Sequence, residues 1–110
     1  MSLRRGSEAT HIMGNSTSGT IALVSAVANQ RVYLYQMIVT IATPAVTLVL
    51  QDTSGTPLSQ QFQLAVNGAI VVNAPTNGDA WWTSNAGLGI QFVQSGTTNV
   101  SYDLWYIQGA

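Results

Sequence analysis

From Thr20 to the end of the chain, apolar runs of 6 to 11 residues alternate with turn-forming clusters, and no segment carries a sustained helical stripe. The runs are "TIALVSAV" (20–27), "RVYLYQMIVTI" (31–41), "VTLVLQ" (46–51), "LSQQFQLAV" (58–66), "AIVVNA" (69–74), "LGIQFVQ" (88–94) and "VSYDLWYIQ" (100–108). Between them lie "ANQ", "ATPA", "DTSGTP", Asn67-Gly68, "PTNGD" and "SGTTN", which place Gly, Pro, Asn and Asp where a chain reverses. The pattern predicts an all-β domain of seven to eight strands spaced 8 to 14 residues apart. Without crossover helices the strands must be antiparallel, which predicts a two-sheet sandwich of jelly-roll type.

The run 31–41 is the longest, and simple alternation gives it large apolar groups on both faces. Val32, Leu34 and Ile38 fall on one, Tyr33, Tyr35, Met37, Val39 and Ile41 on the other. Such a strand is central, or its outer face is covered by another subunit. In 58–66, Phe62, Leu64 and Val66 alternate with outward polar positions. Asn67-Gly68 predicts a type I′ hairpin that returns through 69–74, and 88–94 with 100–108 predicts a final hairpin. Asp52 opens the clearest loop and is placed to form an Asx turn.

A chain of 110 residues is the size of one domain. Residues 1–18 are poor in large apolar groups and read as an N-terminal arm, with 19–110 as the sandwich. Arg4 and Arg5 lie in that arm and could anchor it to an acidic surface; equally, the arm could be a tail ahead of a start at Met13. Charged residues make up 6% of the chain against about 25% in a typical domain, and lysine is absent. That leaves no basic footprint for nucleic acid and no polybasic signal for anionic lipid, so neither is expected as a partner. A surface solvated by Gln, Asn, Ser and Thr offers little charge repulsion and suits a protein that sits against neighbours. No cysteine, membrane-length apolar run or secretory signal is visible.

Catalytic and metal constellations are poor. His11 is the only histidine and falls in the predicted arm, which leaves a hydrolytic triad without a base. Asp52, Asp79 and Asp103 occupy two turns and a strand, with Glu8 in the arm, so no carboxylate pair is brought together. "QDTSGT" and "TNGDA" each supply one carboxylate where calcium sites usually need several hard ligands. No cofactor is expected, and the chain is read as non-enzymatic.

Three tryptophans remain. Trp81 and Trp82 are adjacent in "NAPTNGDAWWTSNAGLG", and on an extended segment they must point to opposite faces. Trp82 is expected inward and Trp81 outward, where it could fill a subunit interface or stack on a sugar ring as a glycan contact. Trp105 shares a face with Ser101, Asp103 and Ile107, opposite Val100, Tyr102, Leu104 and Tyr106. Together with Tyr33 and Tyr35, it is a candidate contact, because monomers avoid exposed aromatic patches.

The order "IALVSAVANQRVYLYQMIVTIATPAVTLVLQD", "LSQQFQLAVNGAIVV" and "AWWTSNAGLGIQFVQSGTTNVSYDLWYI" resembles small β-sandwich structural proteins of tailed bacteriophages, over about residues 20–108. The arm and the second tryptophan, where phenylalanine is more ordinary, depart from that pattern. The resemblance implies a capsid decoration or cement protein, working as a homotrimer on the major capsid protein at the virion surface after assembly in the host cytoplasm. Its contacts would be Arg4, Arg5, Tyr33, Tyr35, Trp81 and Trp105. The alternative it leaves open is a glycan- or receptor-binding module of a fibre or tail.

Overall fold

The short apolar runs pair as two antiparallel sheets. A computed structural model describes residues 9–110 as nine strands: β1 (Thr10–Ser16), β2 (Thr20–Val24), β3 (Arg31–Ile41), β4 (Val46–Asp52), β5 (Phe62–Leu64), β6 (Ala69–Val72), β7 (Trp82–Thr83), β8 (Ile90–Gln94) and β9 (Val100–Gly109). One sheet has the order β1-β9-β3-β6, with the short β7 also on β3, and the other has the order β2-β8-β4-β5. The pairs β1·β9, β2·β8, β3·β6 and β4·β5 nest from the outside inward, as in a long hairpin rolled up on itself. Contacts β9·β3 and β8·β4 then close each sheet, giving the jelly-roll arrangement.

Among the described strands, only β4 and β5 are consecutive and paired with each other. Both hairpins expected from sequence are therefore absent: β5 and β6 lie in different sheets, as do β8 and β9. At Asn67-Gly68 the Gly68 N-H donates to the Ala65 carbonyl at 2.8 Å, and Asn67 takes the left-handed φ of 59°. One left-handed central residue, rather than the two of a type I′ turn, carries the chain across to the other sheet. Val66, expected inward, is exposed on that turn.

Residues 10–16, expected in the arm, are instead β1, in continuous register with β9 from Thr10↔Tyr106 to Ser16↔Val100. The strand is hard to see because "THIMGNS" buries little; Ile12 packs on the core and Gly14 lies against Tyr102. A methyl group at Gly14 would sit 2.7 Å from the Tyr102 Oη, so the small residue makes room for the ring. β1 also begins three residues before Met13, so that stretch is sheet.

Strand β3 corrects the reading of two apolar faces. Its register with β9 shifts between Leu34 and Gln36, a bulge that inserts Tyr35 and changes the phase of alternation. Val32 and Leu34 face the core before the bulge, and Met37, Val39 and Ile41 after it. The core fills between the sheets with these residues and Ile21, Leu48, Leu50, Ile90, Phe92, Val100 and Leu104, all buried. Phe92 meets Tyr102 edge-on across the sandwich at 6.3 Å.

The Asx turn at Asp52 forms. Its Oδ1 accepts from Ser54 Oγ at 2.6 Å, Ser54 N-H at 2.9 Å and Thr56 N-H at 3.0 Å. Burial alone would raise the carboxyl pKa, but these donors and the Gly55 N-H together hold it below the ordinary 3.8. A lowered folded-state pKa means the stabilisation is present above about 3.8 and is lost as pH falls through the lower folded value. Asp52→Asn should therefore cost about 1–3 kcal/mol at neutral pH, and the gap to wild type should narrow in strong acid. Urea titrations at neutral and acid pH check this; a gap that widens in acid would refute it.

Candidate functional site

Pairing register decides which side chains share the outer face of the five-stranded sheet. One row runs Met13, Asp103, Ile38 and Val71; a second holds His11, Trp105 and Gln36; Ile107 pairs with Tyr33 in a third. Met13 is 71% exposed and Val71 61%, and Trp105, Ile38, Ile107 and Tyr33 are half-buried. Asp103 is the sole carboxylate in these rows, and no lysine or arginine joins them. A further row, Asn15, Ser101, Thr40 and Ala69, and Arg31 opposite Gly109 complete the face, so its large apolar groups lie among polar ones; exposed apolar groups the size of Met13 and Val71 gathered on one face mark candidate contacts.

Asp103 is itself occupied. His11 Nε2 donates to its Oδ1 at 2.8 Å, while the imidazole stacks on Trp105 with ring centroids 4.5 Å apart and planes 14° apart. This pins edge strand β1 to β9 from the outside, and it leaves the indole of Trp105 covered on one side by the ring of His11. The sequence placed His11 in an arm and far from any partner; the β1·β9 register is what brings the three together.

The other predicted residues separate. Tyr35 is 1% exposed at the bulge and so is removed from the contact set; it is packed inside its own subunit. Tyr33 donates its hydroxyl to the Ala110 carbonyl at 3.0 Å and ties down the end of β9. Arg4 and Arg5 lie outside the described residues.

Trp81 and Trp82 divide as alternation requires. Segment 81–84 lies along β3, with Trp81 N-H donating to the Leu34 carbonyl at 2.9 Å and Ser84 N-H to the Val32 carbonyl at 3.0 Å. Trp82 packs on the core and meets Phe62 edge-on at 6.4 Å. Trp81 is 53% exposed, and its Nε1-H donates to the Asn73 carbonyl at 2.6 Å, which fixes the ring. Both indoles, with Phe62, Val71 and the 73–80 loop, line a groove of about 690 Å³.

Two buried polar groups hold this frame and carried no signal in the sequence. Ser84 Oγ accepts the Val32 N-H at 2.9 Å and donates toward the Asn85 and Leu88 carbonyls, locking the tryptophan segment to β3. Gln94 donates to the Ser18 and Thr98 carbonyls at 2.8 and 3.0 Å and accepts the Thr98 N-H, joining the β1–β2 and β8–β9 turns. A Ser in "TSN" or a Gln at a strand end looks like surface; only the fold makes them core. Among the described residues, no group of three or more His, Cys, Asp or Glu side chains gathers as metal ligands.

No family model matches the chain, and no curated protein matches it. Among solved structures, the capsid asymmetric unit of cyanophage Pam1 is similar at a TM-score of 0.44 and 10% identity, over 89% of this chain and 84% of that one. Likeness at that level assigns no function to this chain.

Proposed function

We propose that this protein is a non-enzymatic virion structural protein, a capsid decoration or cement protein that works as a homotrimer. The observation that carries the reading is the row Met13, Asp103, Ile38 and Val71 across the outer face of the five-stranded sheet, with Met13 and Val71 exposed at its two edges. Burying such a face against a second copy or against the major capsid protein contributes about 25 cal/mol for each Å² of apolar surface removed from water. The jelly-roll topology and the sequence resemblance to phage β-sandwich proteins agree with that role, although a fold alone does not fix a function. In this reading the site is at the virion surface, the partners are its own copies and the capsid shell, and no catalytic group, cofactor, nucleic acid or membrane takes part.

Co-sedimentation tests it. The chain should pellet with phage heads assembled from a major capsid protein of the same virus, and Met13→Asp with Val71→Asp should stay in the supernatant while remaining folded by circular dichroism. If the wild-type chain also stays in the supernatant, the capsid role is wrong.

A further inference from the structure

The groove beside β6 and β7 combines three features that a free apolar face lacks. Its volume of about 690 Å³ lies within the ~300–1,000 Å³ of small-ligand sites. One wall is the indole of Trp81, exposed yet held by its 2.6 Å bond to the Asn73 carbonyl, so a ligand stacking on it would not have to order the ring. The rim is polar: Asn73, Asn77 and Asp79 are exposed, and the Asn77 Oδ1 accepts the Asp79 N-H at 3.0 Å, which turns the Asn77 NH₂ group to other acceptors.

Charge narrows the ligand class. No lysine or arginine lines the groove, so phosphates and carboxylated ligands find no counter-charge, and a nucleotide is disfavoured. Asp79 supplies the one carboxylate there, an acceptor for hydroxyl donors. A pyranose fits this set: its C-H face matches an indole and the apolar wall of Val71 and Trp82, and its hydroxyls donate to a carboxylate and both donate to and accept from amides. An apolar peptide would use the walls but leave the amide and carboxylate rim unpaired.

We infer that this groove is a binding site for a neutral saccharide, with Trp81 as the stacking platform and Asn73, Asn77 and Asp79 as hydroxyl partners. The site borders the sheet-face contact, sharing Val71 with it, but its stacking and polar groups lie outside that face and it does not depend on the capsid reading; it would let a surface-borne protein hold a glycan. Affinity in the millimolar range is expected, because one stacked ring and a few hydrogen bonds exposed to water are at work.

The full chain should be titrated with glucose, galactose and mannose trisaccharides, and with a proline-rich peptide, while following indole ¹H–¹⁵N signals. The saccharides should shift the Trp81 Nε1-H signal and leave that of Trp105 in place. Trp81→Ala should weaken binding about tenfold or more, since an indole face carries over 1.4 kcal/mol of contact. Asp79→Asn should also weaken it while the fold is kept, and Trp105→Ala should not. The inference is overturned if no trisaccharide shifts Trp81, if binding survives Trp81→Ala, or if only the peptide responds.

Discussion

Gly89→Ala should destabilise the protein by about 3 kcal/mol or more, the upper end of what overpacking costs, and lower Tm by about 12 °C or more. Gly89 immediately precedes β8, where that strand meets the bulged end of β2 at the register shift between Ala22 and Val24. A methyl group there would lie inside van der Waals contact of the Val24 carbonyl oxygen, and 2.9 Å from both the Ala26 N and the Ser25 carbonyl carbon. All three are backbone atoms, so the clash cannot be relieved by turning a side chain. The same residue bridges to the β4 turn, donating its N-H to Thr53 Oγ1 and accepting the Thr53 N-H, each at 3.1 Å. Moving it therefore disturbs two junctions at once. Gly19→Ala is the matched control, since nothing lies within 4 Å of the added methyl, and it should be close to neutral. Thermal unfolding by circular dichroism compares the two; equal melting temperatures would contradict the packing described for β2 and β8.

Phe92→Ala should cost about 3–5 kcal/mol, the range for deleting a buried aromatic ring. Phe92 is 0% exposed in the middle of β8, paired with Ile21 on one side and Leu50 on the other, and it reaches across the sandwich to Tyr102. Losing it opens a cavity between the sheets and forfeits the edge-on ring contact. Against a total stability of about 5–15 kcal/mol for a domain, that is a large fraction. Val93→Ala, one residue on and facing outward, should cost far less. Guanidinium melts of both variants measure the difference, and similar midpoints would mean that β8 does not face the core as its register states.

The class of fold was legible because alternation and turn chemistry are local. Strand β3 was bounded at Arg31 and Ile41 from its apolar content, and the division of Trp81 from Trp82 followed from the pleat alone. What stayed hidden was set by distance in sequence. The Asn67-Gly68 turn announces a reversal, but whether β6 pairs with β5 or with β3 depends on a surface built by residues thirty positions away. The bulge at Tyr35 left no mark in composition, and it alone turned an apparent second apolar face into a single buried one. β1 escaped notice because an edge strand with Ile12 as its main inward group has almost no hydrophobic signature. The His11–Asp103–Trp105 cluster was invisible for the same reason, being assembled by register and not by spacing, whereas the outward Trp81 followed from alternation and its groove is lined mainly by the adjoining stretch 71–82.

A homotrimer, as proposed, covers the outer face of the five-stranded sheet by association. Light scattering on the full chain measures this most directly. The expected particle mass is three times 11.6 kDa, falling to that of a folded monomer when Val71 and Met13 are both replaced by aspartate. A wild-type chain that scatters as a monomer at every concentration, with the aspartate variant indistinguishable from it, would contradict the claim.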